Sequence, residues 1–304
     1  MNVSVSHEGT PASGRGARRV AVTGASGAIG GHVVRLLASD PANHIVAVRR
    51  SAPEVPYPPN VTAAIADYMD PDGLAAAFDG VEGLVFVSSD GPIAQVILHH
   101  DNVIRAAANA GVSHIVALSG LDADPDSPFC YAVSYSYTER LLRDSGCPFT
   151  VARASVYSEF YLAVLAQARK GEELRVPAGE GRVSLVSRLD VARCIVALLK
   201  LPPDGARYEI TGPEALDVPV IAGQLTRHVG APLRFAAVTP EEYRADLERG
   251  GESAWWTYVY GTFFESIREQ RWAAVGDTVQ RLTGRSPAPL QSALAGTAAW
   301  GAQR

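Results

Sequence analysis

The chain has 304 residues, of which 47% are hydrophobic and 19% charged, which is the balance of a globular protein and not of a disordered one. A formal net charge of -5 argues against a general nucleic-acid binder, and no stretch approaches the roughly 18–20 apolar residues of a membrane span. The three cysteines, Cys130, Cys147 and Cys194, have neither CxxC nor metal-ligand spacing. We therefore expect a cytoplasmic chain without a disulfide framework or a metal site.

Residues 1–17 are rich in serine, glycine and proline and lack the apolar core of a signal peptide, so we expect a flexible arm. Short apolar runs then alternate with helical patterns as far as residue 153. We expect strands at 19–23, 44–48, 61–66, 83–87, 114–118 and 149–153, and helices at 32–39, 71–78, 93–110 and 134–144. This alternation predicts an α/β, Rossmann-like fold with a doubly wound parallel sheet.

The alternation weakens in the second half of the chain. We expect helices at 158–169, 188–201, 218–229, 240–249 and 255–268, and strands at 182–186 and 207–211. The predicted division is a dinucleotide-binding domain at 18–155 with 186–212, and a smaller, mostly helical substrate-binding lobe at 156–185 with 213–304. Ligands of such folds bind at the carboxyl ends of the strands, so the residues just after each strand are the candidates for a site.

A glycine-rich turn with the spacing G-x-x-G-x-x-G joins the first strand to the first helix. Glycines let the backbone approach a pyrophosphate, and the helix N-terminus beyond them offers free N–H groups and a partial positive charge. We therefore predict that this turn binds a dinucleotide. The predicted contacts are Gly24, Ser26, Gly27, Ala28, Ile29 and Gly30.

The end of the second strand distinguishes NAD from NADP. An NAD site usually has Asp or Glu there for the ribose 2′-hydroxyl, whereas this chain has Arg49 and Arg50. A guanidinium can bind a 2′-phosphate through two hydrogen bonds, so we predict NADP(H) as the cofactor; the alternative is a pair of solvated surface arginines. Asp67 and Tyr68 follow the third strand and are placed to contact the adenine, but Tyr68 fits equally well as a packed loop residue.

Residues 138–153 carry the most specific motif. They resemble the segment T-E-x-x-L-x-x-S-G-x-x-[YF]-T-x-x-R of the NmrA-like, atypical short-chain dehydrogenases/reductases, in the type 2 NAD(P)H:quinone oxidoreductase branch. Weaker similarity covers about residues 18–240, including Asp190-Val-Ala and Tyr208-Glu-Ile-Thr-Gly212.

The resemblance implies positions for further cofactor contacts. The loop Ala154, Ser155, Val156 and Tyr157 is expected to lie against the nicotinamide, and the serines Ser88, Ser89 and Ser119 are expected to flank the cofactor at the ends of the fourth and fifth strands. Where the branch often has Glu-Asn, this chain has Glu159-Phe160, which makes the expected pocket more apolar.

Ordinary short-chain dehydrogenases place a proton donor in Tyr-x-x-x-Lys. The chain has only two lysines, Lys170 and Lys200, and neither follows a tyrosine by four residues, so the standard dyad is absent from the sequence. Tyr135 or Tyr131 can still donate a proton to a substrate oxygen, with Ser119 upstream; the alternative for both tyrosines is packing or a ribose contact. Quinone reduction needs little acid catalysis, so positioning for hydride transfer is the main requirement.

Two further features have simpler explanations than a site. His99 and His100 lie in a helical pattern without nearby acids or cysteines, so we expect a helix surface there and no metal. The aromatic residues between 255 and 264 either form the core of the second lobe or line a pocket for a flat aromatic substrate.

The sequence thus predicts an NADP(H)-dependent oxidoreductase that transfers hydride to a quinone or to an aromatic, polyketide-type ketone. One alternative is a non-catalytic, NADP(H)-sensing regulator of the NmrA-like type, and another is an isomerase or dehydratase that uses its cofactor only transiently. We expect a small aromatic or quinone substrate, neither a nucleic-acid nor a membrane partner, and a monomer or homodimer.

Overall fold

The computed structural model describes residues 18–296, so the arm expected at 1–17 lies outside the described residues. The strands are β1 (Arg18–Val22), β2 (Asn43–Arg49), β3 (Val61–Ile65), β4 (Gly83–Phe86), β5 (His114–Gly120), β6 (Phe149–Ala154), β7 (Arg169–Lys170), β8 (Glu173–Val176), β9 (Arg182–Val183), β10 (Arg207–Ile210), β11 (Leu216–Asp217) and β12 (Arg234–Ala237). The helices are α1 (Ala28–Ala38), α2 (Pro71–Phe78), α3 (Ile93–Asn109), α4 (Ala132–Asp144), α5 (Ser158–Gln167), α6 (Arg188–Lys200), α7 (Val218–Val229), α8 (Pro240–Arg249), α9 (Ala254–Arg268), α10 (Thr278–Thr283) and α11 (Leu290–Leu294).

The central sheet has seven parallel strands in the order β10-β6-β5-β4-β1-β2-β3. Every residue of β4 and β5 is buried, because helices cover both faces of the sheet. On one face α1 and α6 pack together, and on the other face α2, α3 and α4 do so. The predicted Rossmann-like fold is confirmed, with β10 as an added strand beyond β6.

The first helix begins earlier than the sequence predicted. It starts at Ala28 and contains Gly30 and Gly31, whereas the helical pattern was expected only from residue 32. Glycine is a poor helix former, which hid this turn from propensity alone. Packing overrides propensity here, because a Cβ at Gly30 would lie 2.2 Å from the carbonyl oxygen of Gly24.

The second lobe contains small sheets that the sequence did not predict. β8 pairs in parallel with β12 and antiparallel with β7, and β9 pairs antiparallel with β11. The strand expected at 182–186 is reduced to β9, and Val186 forms an isolated bridge with Tyr157. These strands have two to four residues, which is too short for a hydrophobic alternation to be recognised in the sequence. Their pairing also depends on segments that are distant in the chain.

The C-terminal part of the chain does not belong wholly to the second lobe. Helix α10 packs against α6 and β10, and Val279 is buried in the core on that face of the sheet. Residues 278–283, which were expected in the substrate-binding lobe, therefore complete the layer beside the sheet. None of the helices between residues 18 and 296 combines the length and the apolarity needed to cross a membrane.

Candidate cofactor-binding site

The carboxyl ends of the central strands open into a cleft of about 500 Å³. Most of the predicted site residues line it: Gly24, Ser26, Gly27, Ala28, Ile29, Gly30, Arg49, Arg50, Asp67, Tyr68, Ser88, Ser89, Ser119, Tyr131, Tyr135 and Tyr157. The fold thus brings together segments that follow six different strands, β1 to β6. This is the place where a doubly wound sheet binds a ligand.

Three of the residues expected beside the nicotinamide are not among those that line the cleft. Ala154, Ser155 and Val156 are buried, and the Ser155 hydroxyl is hydrogen-bonded to Ser184 at 2.9 Å. Of the loop 154–157, only Tyr157 lines the cleft. The strand-end rule points to this loop but does not show which of its side chains line the cleft.

The glycine turn is built for a close approach to its backbone. Gly24 has a φ of +59°, in the left-handed region that favours glycine, and its carbonyl oxygen lies where a side chain at Gly30 would be. In the described structure, helix α1 has neither a capping side chain at Gly27 nor an acidic residue in its first turn. Its positive end is therefore free to bind an anion.

Arg49 adds an unsatisfied donor to the cleft. Its Nη1 donates to the Tyr57 hydroxyl at 3.2 Å, but its buried Nε has no hydrogen-bond partner among residues 18–296. Arg50 beside it is exposed. A buried donor without an acceptor costs free energy, and a phosphate oxygen would satisfy it. The glycine turn, the uncapped helix and this guanidinium fit the phosphates of NADP(H).

Tyr68 is both packed and exposed to the cleft, so the two interpretations of it are compatible. Its hydroxyl donates to the Val87 carbonyl at 2.9 Å, and burial raises its pKa to about 12. The ring meets His99 edge to face, with centroids 5.9 Å apart. Asp67 is exposed, and its carboxylate accepts the Met69 N–H at 2.8 Å.

The histidine pair does not form the helix surface that the sequence suggested. His99 lines the cleft; its Nδ1 is 3.1 Å from the Ser89 hydroxyl, and its buried Nε2 has no partner within the described residues. His100 is completely buried. The expectation was therefore wrong for His100, because the helix turns this residue toward the core. Among residues 18–296, no cluster of three His, Cys, Asp or Glu side chains could hold a metal ion.

His100 connects the segment after β4 to helix α4. The Thr138 hydroxyl donates to the Ser134 carbonyl, so its oxygen accepts from His100 Nδ1 at 2.6 Å. His100 Nε2 then accepts the Ser89 N–H at 3.3 Å. Burial lowers the pKa of His100 to about 3, so the ring is neutral and holds this tautomer.

The motif at 138–153 contains a buried ion network. Glu139 accepts two hydrogen bonds from Arg153, both at 2.7 Å, one from Arg207 at 2.6 Å and one from the Ser119 hydroxyl at 2.9 Å. Burial opposes ionisation of Glu139, but the hydrogen bonds from Arg153 and Arg207 outweigh it and lower the pKa. Because the Ser119 proton is committed to Glu139, Ser119 lines the cleft without a free donor.

The two candidate tyrosines differ in the freedom of their hydroxyls. Tyr131 donates to the Gly91 carbonyl at 3.1 Å and accepts the Gly91 N–H at 2.9 Å. Tyr135 packs its ring against Gly120, and its hydroxyl makes no hydrogen bond within residues 18–296. Burial raises the pKa of Tyr135, so the hydroxyl stays protonated. Of the three catalytic candidates, Tyr135 alone keeps its proton available to a ligand.

Sequence reasoning missed three polar residues of the cleft, Asp90, His99 and Arg188. Arg188 is the first residue of α6, and its guanidinium lies 5.6 Å from the centre of the Tyr157 ring. The strand-end rule does not identify it, because β9, the strand that precedes it, belongs to a separate two-stranded sheet.

Aromatic residues of the second lobe pack against the helix that carries both tyrosines. Trp255 meets Tyr131 edge to face with centroids 6.1 Å apart, and Phe129 lies 6.4 Å from Tyr135 and 5.6 Å from Phe263. The rings of Trp255, Phe129 and Phe263 form, or pack against, the core of the second lobe, and none of the three is among the residues that line the cleft.

A doubly wound parallel sheet with an open glycine turn and a basic second-strand end defines a dinucleotide-binding protein of the Rossmann class. Residues 24–202 match the family model described as NAD(P)H-binding. Quinone oxidoreductase 2 of Escherichia coli (strain K12) is 33% identical over 236 residues, which cover 76% of this chain and 82% of that protein. The NAD(P)H azoreductase of Xenophilus azovorans is 30% identical over 287 residues, which cover 93% of this chain and 99% of that protein.

The solved structures agree with the sequence relatives. The structure of the NADPH-dependent quinone oxidoreductase of Escherichia coli in complex with NADPH superposes with a TM-score of 0.83 at 29% identity, over 91% of this chain and 99% of that one. The chain belongs to the NAD(P)H-binding family, in its NmrA-like, quinone-oxidoreductase-type branch, and is an NAD(P)H-dependent reductase. The predictions of the family and of the nicotinamide cofactor are confirmed.

Proposed function

We propose that this reductase transfers hydride from NADPH to a quinone or to an aromatic, polyketide-type ketone. The observation that carries the proposal is the cleft, where the unbonded hydroxyl of Tyr135 lies beside an aromatic wall formed by the rings of Tyr131 and Tyr157. A flat, conjugated acceptor is the class of molecule that such a wall contacts best. The relatives named for quinone and azo reduction support an acceptor of this class.

The cofactor contacts divide among the segments of the cleft. In this proposal the glycine turn and the start of α1 hold the pyrophosphate, and Arg49 with Arg50 holds the 2′-phosphate. Tyr68, Asp67 and His99 surround the adenine, and Tyr157 lies on the nicotinamide side. The unsatisfied Nε of Arg49 supports the preference for NADPH over NADH.

In this proposal the side chains contribute one hydrogen bond to the reaction. Bound NADPH supplies the hydride. Neither lysine is among the residues that line the cleft, and Lys170 is paired with Asp246 at 2.5 Å. A tyrosine without a neighbouring lysine keeps its proton, so Tyr135 donates a hydrogen bond to the acceptor oxygen. The anion of a hydroquinone is stable and takes its proton from water, so a quinone depends on this hydrogen bond less than a ketone does.

Phe160 packs in the aromatic core of the second lobe. It occupies the position where the related branch often has asparagine, and its ring stacks on Tyr260 with centroids 6.4 Å apart and meets Phe263 at 5.9 Å. An amide that could hydrogen-bond a substrate is thus replaced by a ring that packs. This supports a larger and less polar acceptor than a simple benzoquinone.

The test is an acceptor panel with purified protein. Loss of NADPH absorbance is followed with benzoquinones, naphthoquinones, aromatic ketones and small aliphatic ketones. We expect turnover with naphthoquinones or polycyclic aromatic ketones and none with aliphatic ketones. Tight binding of NADPH without turnover of any aromatic acceptor would overturn the proposal.

A further inference from the structure

Arg188 is a charged residue in the cleft with no role in the site as described so far. It begins helix α6, is half-buried, and lines the cleft together with the glycine turn and Tyr157. Its backbone N–H donates to the Glu159 carboxylate, at 3.2 Å to one oxygen and 3.3 Å to the other. These contacts fix the start of the helix and leave the side chain directed to the cleft.

The guanidinium of Arg188 makes no ion pair within the described part of the chain. Among residues 18–296, no carboxylate lies within ion-pair distance of it, and its contact is with the face of Tyr157. Other arginines nearby are paired: Arg193 bonds Asp190 at 3.0 Å, and Arg153 is bound to Glu139. The Glu159 carboxylate binds the backbone N–H of Arg188 and not its guanidinium, so the half-buried guanidinium keeps its donors for an anion supplied by a ligand.

The position of Arg188 indicates which anionic group of the ligand it contacts. Helix α6 packs on α1, its residues Val191 and Ile195 belong to the same core cluster as α1, and Arg188 lines the cleft together with Gly27 and Gly30. Arg188 is close enough to α1 to act on His32: burial and Arg35 lower the pKa of this histidine most, Glu159 raises it, and Arg188 lowers it further. The anion within reach of both features is a pyrophosphate at the glycine turn.

Arg188 cannot share the 2′-phosphate with Arg49. Tyr157 follows β6 and Arg49 ends β2, and three strands, β5, β4 and β1, lie between β6 and β2. Four inter-strand steps of about 4.8 Å separate these two strand ends by roughly 19 Å. The cleft therefore holds two separate groups of positive charge.

We infer that Arg188 binds the pyrophosphate of the nicotinamide cofactor from the nicotinamide side, opposite the glycine turn, while Arg49 and Arg50 bind the 2′-phosphate. This inference rests on the cofactor position in the proposed function and not on the acceptor. It separates affinity from specificity: Arg188 strengthens binding of NADH and NADPH alike, and the arginine pair distinguishes between them.

The test measures binding without any acceptor, so failure of the quinone proposal leaves it intact. Arg188→Ala is titrated with NADPH, NADH, ADP-ribose and 2′-AMP; ADP-ribose keeps the pyrophosphate, and 2′-AMP keeps only the 2′-phosphate. Loss of a charge-assisted contact should raise the Kd of the first three about tenfold and leave that of 2′-AMP unchanged. Arg49→Ala should give the opposite pattern, with losses for NADPH and 2′-AMP.

Arg193→Ala is the matched control, because it removes the same charge from the same helix at a residue paired with Asp190. It should change each Kd less than about twofold, and Arg188→Lys should lose less affinity than Arg188→Ala. The inference is overturned if ADP-ribose binds Arg188→Ala as it binds the wild type, if 2′-AMP is weakened equally, or if Arg193→Ala has the same effect. Thermal unfolding of each variant shows whether the fold is kept.

Discussion

At the scale of single residues, the position of a hydroxyl in the cleft does not determine its role; its hydrogen bonds do. Tyr131 and Tyr135 are one helical turn apart, and their rings stack with centroids 6.4 Å apart. The Tyr131 hydroxyl, however, both donates a hydrogen bond to the Gly91 backbone and accepts one from it. Ser119 is likewise bound to Glu139. Sequence could name these three residues as candidates. It could not choose among them, because the partners that occupy two of them come from distant segments.

Replacing Tyr135 with phenylalanine removes the free hydroxyl and little else. With an aromatic ketone we expect kcat to fall about tenfold, with a smaller loss for a quinone and an unchanged Kd for NADPH. Tyr131→Phe is the matched control: it removes two hydrogen bonds to Gly91, so it should cost about 1–2 kcal/mol of stability while kcat changes less. An equal loss of kcat in both variants would show that Tyr135 has no special part in proton donation.

At the scale of elements, the start of α1 shows how packing selects glycine. A Cβ at Gly30 would collide with the Gly24 carbonyl oxygen, whereas at Gly31 the nearest atom of another group would be 3.5 Å away, an ordinary contact. Gly30→Ala should therefore lower the melting temperature and weaken NADPH binding. Gly31→Ala should leave both intact or raise stability slightly, since alanine favours a helix. Differential scanning fluorimetry with and without NADPH compares the two, and equal behaviour would contradict the close-packed turn.

The ion network of Glu139 joins α4, β5, β6 and β10. The pKa of Glu139 is lower in the folded state than its usual value of 4.5. The ionised carboxylate therefore stabilises the fold above about pH 4.5, and this contribution is lost as the pH falls further. Glu139→Gln should lower the free energy of unfolding by about 2 kcal/mol at pH 7, mainly because Arg153 loses its ion-pair partner. The ion pair with Arg207 contributes less, because Arg207 is more exposed to solvent. Urea unfolding should show this difference shrinking below pH 4.5. A difference that grows on acidification would contradict the assignment.

At the scale of the whole molecule, the parallel sheet was predictable and the second lobe was not. Strands such as β4 and β5 are buried on both faces and therefore appear as continuous apolar runs in the sequence. β8 and β12 pair between distant segments and have no such pattern. For the same reason the glycine turn and Arg49 were found from the order of elements, whereas Arg188 and His99 required the folded chain.

We propose that the protein reduces an aromatic acceptor with NADPH and that Arg49 and Arg50 hold the 2′-phosphate. The decisive measurement is kcat/KM for NADPH and for NADH with one naphthoquinone, in the wild type and in the Arg49→Ala/Arg50→Ala variant. We expect the wild type to prefer NADPH by about tenfold or more. In the variant kcat/KM should fall for NADPH and stay unchanged for NADH, so that the preference is lost. Turnover at equal rates with both cofactors in the wild type, or an equal loss for both in the variant, would contradict the claim.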